Sequence, residues 1–246
     1  MRAVWMLVTA IILPTAANAV SLGDLIAQNG TVQVGDKVFS GFGGSISTSC
    51  TANTSCAPTS LLGVDVQGVV SGDELGLKFT HLGNVIASPI VTCAPFGCFP
   101  SGASSAIVTV DIQYHVSVVN SPDLIHAFAM AAQTGSDLFG GGSTTMTTNL
   151  YDAANMVLGG GRLLGTGSTD GVLISDQTDI RVVTRVRTEA GTNDVSSSAR
   201  RVDSLTQTFS QVRSVPEPWT LILMGSGIIG LGIWRMGGNA SDMSCR

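Results

Sequence analysis

The chain has 246 residues, a formal net charge of −5, 12% charged and 44% hydrophobic residues, and 30 glycines. The acidic balance excludes a general nucleic-acid binder, which needs a basic footprint. Low charge with high hydrophobicity excludes wholesale disorder, and the Gly, Ser, Thr and Val content points to an extracellular type of β domain with one sizeable core.

In chain order, Arg2 gives a basic start, residues 3–13 an apolar run, and Pro14 a break before Ala17-Asn18-Ala19. Small side chains at Ala17 and Ala19 suit signal peptidase. Residues 1–19 therefore read as a cleaved secretory signal, and the body begins at Val20. The apolar run is shorter than the roughly 20 residues of a membrane span.

A short helix is predicted over 21–30, with Leu22, Leu25 and Ile26 on one face and Gly30 as its stop. Strands follow at 31–39, turned by Gly35-Asp36, and at 64–70 and 75–81, separated by Ser71-Gly72-Asp73. Residues 106–119 alternate strictly. Val108, Val110, Ile112, Tyr114, Val116 and Val118 share one face; Thr109, Asp111, Gln113, His115 and Ser117 share the other, as in a long strand with one wet side. A turn over 120–123 would let 124–132 return as its partner. Strand character continues at 143–151, 171–175 and 179–189. The glycine-rich 140–143 and 159–168 read as turns or loops. Val202, Leu205, Phe209 and Val212 have helical spacing, but abundant Ser, Thr and Val weight this stretch toward strand. Many short strands with glycine turns and no βαβ rhythm predict an all-β fold. The expectation is an antiparallel β-sandwich, jelly-roll-like, over residues 20–213.

Export changes the meaning of the cysteines. Cys50, Cys56, Cys93 and Cys98 lie in the body and Cys245 beyond it. An even number in an oxidising compartment predicts disulfides; local loops within CTANTSC and CAPFGC are the simplest of the three pairings. A four-thiolate zinc site would need a two-residue spacing that both pairs lack. No metal and no cofactor is expected.

Catalytic signals are thin. His81 ends a predicted strand, and His115 shares the wet face of 106–119 with Asp111. His126 shares a period-two face with Leu124 and Phe128, the place of a core-edge histidine. Asp111 and His115 would stand about 13 Å apart along one strand, so no catalytic residue is assigned. Asp73-Glu74 and Asp170, Asp176 and Asp179 read as solvated turn acids without the spacing of a calcium loop. Arg181, Arg185 and Arg187 share one strand face, a candidate stripe for an anionic ligand such as acidic polysaccharide or phosphate. A charged solvent face that discourages edge pairing is the plainer reading, with Asp179, Glu189 and Asp194 near enough in sequence to neutralise it.

Residues 214–246 carry a different signal. Pro216 and Pro218 hold the backbone around Glu217 extended. The uncharged run 219–234 reads as a transmembrane helix with Trp at each end and Arg235 on the cytoplasmic side. At 1.5 Å per residue it would span about 24 Å, against roughly 30 Å of hydrocarbon. Gly225, Gly227 and Gly230 spell a dinucleotide-like motif, but no strand precedes it; close packing of helices in lipid is the better use of such small residues.

Pro216-Glu217-Pro218, the glycine-bearing apolar helix and Arg235 together resemble the PEP-CTERM sorting signal. GTVQVGDKVFSGF at 30–42 and LTQTFSQV at 205–212 resemble the opening and closing stretches of secreted PEP-CTERM proteins with β-rich bodies. The resemblance implies export by a Gram-negative bacterium that makes exopolysaccharide. Signal peptidase and an exosortase would be the processing partners, the inner membrane a transient station, and the cell surface or extracellular matrix the destination. This chain carries Arg235 alone where the family has an arginine cluster, and runs on to Arg246. The expected role is noncatalytic, structural or adhesive, within an extracellular polysaccharide, as in a biofilm. The alternative is a secreted hydrolase acting on glycans or peptides.

Overall fold

The computed structural model describes residues 19–212, apart from 52–53, 89, 103, 120, 122, 138–140, 169–171 and 193–197. The strands are β1 (Val20–Ser21), β2 (Val32–Val34), β3 (Lys37–Cys50), β4 (Thr54–Ala57), β5 (Asp65–Ser71), β6 (Glu74–Ala87), β7 (Ile90–Ala94) and β8 (Gly97–Gly102). They continue as β9 (Ser105–Val118), β10 (Leu124–Asp137), β11 (Gly141–Tyr151), β12 (Val157–Leu164), β13 (Gly167–Ser168), β14 (Val172–Gln177), β15 (Asp179–Gly191) and β16 (Ser198–Val212). Among the described residues one α-helix, α1 (Leu22–Ala27), follows β1, and a 3-10 turn occupies Leu61–Gly63. The fold is all-β.

Two antiparallel sheets form a β-sandwich. The first runs β1-β5-β6-β16-β10-β13, with β14 also pairing β10 and β4 also pairing β6. The second runs β12-β11-β15-β9-β3-β2, and β7 with β8 makes a separate ribbon. Successive long strands cross between the sheets: β9 lies in the second, β10 in the first, β11 in the second, and β15 and β16 divide in the same way.

Alternation explains the core. On β9, Val108, Val110, Ile112, Tyr114 and Val116 are buried, and on β15 so are Ile180, Val182, Thr184, Val186 and Thr188. The first sheet answers with Leu77, Phe79, Phe128, Met130, Leu205 and Phe209. Rings of Phe39, Tyr114, Phe79 and Phe209 pack at tilted angles, with Phe39 and Phe209 centroids 6.1 Å apart.

One polar network joins the sheets inside this apolar slab. Tyr114 Oη donates to Gln207 Oε1 at 2.9 Å, and Gln207 Nε2 donates to Thr148 Oγ1 and Thr184 Oγ1, each at 2.9 Å. Thr148 and Thr184 are 3.0 Å apart. Every hydroxyl and amide in it has a partner, as burial requires. Burial pushes the Tyr114 phenol well above its ordinary pKa. At the sandwich end, Lys37 is fully buried with its Nζ 3.6 Å from Asp36 Oδ1. Desolvation lowers its pKa; the nearby charges of Asp36 and Asp123 oppose that.

Both predicted tight turns are present. Val34 pairs with Lys37 across Gly35-Asp36, and Ser71 with Glu74 across Gly72-Asp73. Gly35 has φ +59° and Gly72 +61°, backbone that glycine adopts without strain. The stretch with helical spacing is β16, a central strand. Three expectations change. Residues 124–132 do not return beside 106–119, because both edges of β9 are taken by β15 and β3, and the chain crosses to the other sheet. Glycines 159–161 lie within β12 rather than in a loop, packed flat against β11. His126 is not a core-edge residue: a register shift between Ile125 and Ala127 breaks the period, so Ile125 and Phe128 go inward while His126 meets Asp176 at 2.8 Å.

Cys50 and Cys56 form a disulfide. Cys93 and Cys98 are backbone partners in the β7–β8 ribbon. No helix among the described residues is long and apolar enough to cross a membrane. The span expected at 219–234, the motif Pro216, Glu217, Pro218 and Arg235, and Ala17, Asp170 and Asp194 all lie outside the described residues.

Candidate functional site

The outer face of the second sheet gathers the residues that the sequence singles out. Because β9 and β15 pair without a register break, their outward side chains form straight rows. Arg181 stands opposite His115, Arg185 opposite Asp111, and Arg187 opposite Thr109. Arg181, Arg185 and Arg187 do share one face, as expected.

Their charges are mostly met. Arg185 grips Asp111 with two hydrogen bonds, Nε to Oδ1 at 2.7 Å and Nη2 to Oδ2 at 3.1 Å. That hydrogen bonding, then the carboxylate's charge, raises the Arg185 pKa. Arg187 Nη2 donates to Glu189 Oε2 at 3.0 Å. Arg181 lies over the Tyr151 ring, 4.6 Å from its centroid, and its Nε has no hydrogen-bond partner among the described residues. His115 Nδ1 is 3.5 Å from Asp179 Oδ1. The Asp111 and His115 side chains thus have different partners and do not act as a pair.

Between these rows the surface is recessed beside glycines of β3. A register shift between Ser40 and Gly43 places Gly41, at φ +60°, against the His115 ring. A Cβ there would come within 3.2 Å of His115 Cδ2. One recess of about 220 Å³ lies between Gly41, Gln113, His115 and Arg181. A second of about 250 Å³ lies between Gly44, Ser45, Asp111, Gln113 and Val183. Gln113, exposed, separates them. Each is small against the roughly 300–1,000 Å³ of ligand pockets. The face offers paired donors and acceptors for reversible contact. Its cations are shared with carboxylates or an aromatic ring, so it is less an anion stripe than a mixed polar surface.

The other named residues scatter. His81, on the first sheet, has Nδ1 3.1 Å from Asp65 Oδ2. Glu74 accepts from Thr208 Oγ1 at 2.6 Å. Among the described residues no group of three or more His, Cys, Asp or Glu is placed to hold a metal ion. Sequence reasoning missed Gly41 and Tyr151. Tyr151 is readable as the outward end of the alternating stretch 143–151, whereas nothing local marks the bulge that brings Gly41 to His115.

No family model and no curated protein sequence matches the chain. Among solved structures, TmCBM61 in complex with β-1,4-galactotriose aligns over 66% of this chain and 86% of its own, at 10% identity and TM-score 0.27. Arabinose-bound MgGH51 α-L-arabinofuranosidase aligns over 63% of this chain and 23% of its own, at 10% identity and TM-score 0.20. The Trichoderma harzianum endoglucanase 3 of family GH12 aligns over 67% and 98%, at 10% identity and TM-score 0.21. At these values none of the three shares a demonstrated family with this chain, and no ligand or activity passes from them to it.

Proposed function

We propose that this chain is an exported surface or matrix protein of an exopolysaccharide-producing Gram-negative bacterium, sorted through its C-terminal tail and serving a noncatalytic, structural or adhesive role. Signal peptidase removes residues 1–19. The inner membrane holds 219–234 until an exosortase processes the chain near Pro216-Glu217-Pro218. The β-sandwich, jelly-roll-like in the way its strands cross between sheets, is then delivered to the cell surface or the polysaccharide around it.

The observation that carries this reading is the ordered tail, Pro-Glu-Pro, apolar run and Arg235, attached to an all-β body with a disulfide between Cys50 and Cys56. A disulfide is at home in an oxidising compartment. The outer face of the second sheet adds support, because its ion pairs and amide suit weak, repeated contact with a hydrated polymer. The alternative, a secreted hydrolase acting on glycans or peptides, draws less support: Asp111 is engaged by Arg185, and His115 faces Asp179.

The test is mass spectrometry of the mature protein from its native host. The expected result is a chain that starts at Val20 and ends close to residues 216–218. A chain intact through Arg246 overturns the sorting reading. Deleting 216–246 should release the body into the medium.

A further inference from the structure

A recess larger than the two on the arginine face lies elsewhere among the described residues. It lies on the outer side of the first sheet, has a volume of about 490 Å³, and is lined by Pro58, Ser60, His81, Asn84, Arg201 and Asp203 among others. That volume falls within the roughly 300–1,000 Å³ range of small-molecule sites.

Two bulges at one level of the sheet create it. On β6, Thr80 pairs with Ser204 and Gly83 with Val202, so His81 and Leu82 oppose Asp203 alone. On the other side of β16, Gln133 pairs with Ser204 and Thr134 with Val202, so there Asp203 is itself the extra residue. Simple alternation from Leu77 and Phe79 would aim His81 into the core; alternation back from Phe209, Gln207 and Leu205 would do the same to Asp203. The bulges turn both outward, leaving the side chains 71% and 40% exposed, and send Leu82 inward instead. His81 sits at φ +61°, a left-handed conformation that a non-glycine residue holds at a cost. Strain of this kind collects where a side chain must be aimed.

The groups so aimed make a donor–acceptor set. Arg201 Nε meets Asp203 Oδ1 at 2.6 Å, which leaves other N–H groups of the fork and the second carboxylate oxygen for a ligand. Arg201 stands between Asn84 and Gly135 in the sheet. A Cβ at position 135 would lie 3.0 Å from the guanidinium, so glycine there lets Arg201 lie flat. Asn84 carries a donor and an acceptor in one amide. Formal charge balances, Arg201 against Asp203, and the His81 ring faces Asp65. One wall is the segment 57–63, tied through β4 to the Cys50–Cys56 disulfide.

A hydroxyl donates and accepts at once. Neighbouring hydroxyls on a sugar ring therefore want a donor beside an acceptor, repeated over a few ångströms, in a site without net charge. We propose that this recess binds one or two sugar units of an uncharged polysaccharide, with Asn84, Arg201 and Asp203 reading adjacent hydroxyls and Pro58 offering an apolar surface to the ring. The inference deepens the adhesive reading above and rests on it for the class of ligand.

The test is calorimetric titration of the full chain, in detergent, with cellohexaose, mannohexaose and galactohexaose, and with hexagalacturonate as the acidic counterpart. At least one uncharged hexasaccharide binds. Asn84→Ala and Arg201→Ala each weaken it about tenfold, the loss of one good hydrogen-bonding group. Gly135→Ala, which only displaces Arg201, also weakens it; Asp73→Ala, in the exposed turn between β5 and β6, leaves it unchanged. Matching thermal melts show that the variants fold. The proposal is overturned if no uncharged probe binds, if only hexagalacturonate binds, or if binding survives both Asn84→Ala and Arg201→Ala intact. Tail processing in the host is independent of these substitutions, so the export reading stands or falls separately.

Discussion

The two outer faces of this sandwich were built by different rules. On the second sheet, β9 and β15 run in unbroken register, and their outward side chains fall in rows fixed by simple alternation. On the first sheet, β6 and β16 slip past each other at His81 and Asp203, and the outward set there includes residues that alternation assigns to the core. The in-register pair β9–β15 yields rows of self-paired charges, with a small recess where the β3–β9 register shifts at Gly41. A bulged face yields a recess with groups aimed into it. The lesson is that, in a sheet protein, broken alternation marks a candidate site better than a concentration of charge does.

The core shared by the two faces sets the upper end of the scale. Gln207→Ala leaves the Tyr114 hydroxyl between the sheets without its acceptor, takes a donor from Thr148 and Thr184, which keep each other, and opens a void, so urea unfolding should show a loss of about 3 kcal/mol. Adding Tyr114→Phe to Gln207→Leu should recover part of it, since one unmet partner goes with the other. If Gln207→Ala is nearly neutral, the sheets are not joined by that network.

Next comes the disulfide. Replacing Cys50 and Cys56 with serine should cost about 2 kcal/mol, as expected for a loop this short. It should also loosen segment 57–63 and weaken sugar binding on the first sheet, while the Asp111–Arg185 face stays as it was. Equal effects on both faces, read by amide exchange, would remove the contrast between them.

A backbone test separates the bulged face from the regular one. His81→Val places a β-branched residue at φ +61° and should cost about 1–2 kcal/mol. His115→Val, in ordinary extended backbone, should change stability by less than about 0.5 kcal/mol. Similar costs at the two positions would mean that His81 holds no special conformation.

Alkaline pH probes the interior between the faces. The folded pKa of Tyr114 is raised, so the native state keeps a proton that the unfolded chain gives up near pH 10. Stability from this group is present below that pH and falls as pH rises past it. Lys37, lowered by burial, works the other way and adds stability as pH climbs toward its unfolded value. The margin of the native chain over Tyr114→Phe should therefore shrink between about pH 9 and 11. A constant margin would contradict a buried phenol.

The smallest effect belongs to the most conspicuous ion pair. Arg185→Ala removes a two-bonded contact with Asp111, yet the pair is exposed and screened, and the urea midpoint should not move measurably.

The sequence by itself determined the class of fold, the two glycine turns, the inward row of β9 and the outward row of arginines on β15. Each follows from a period of two or from the backbone freedom of glycine, both of which are local properties. Tertiary structure alone decided that β10 leaves β9 for the other sheet, that Gln207 joins Tyr114 to two threonines, and that His81 and Asp203 turn out to meet Asn84 and Arg201. Those outcomes depend on which strand lies alongside and where its register slips. A bulge is a disagreement in count between two strands, and no single strand carries that count in its own residues.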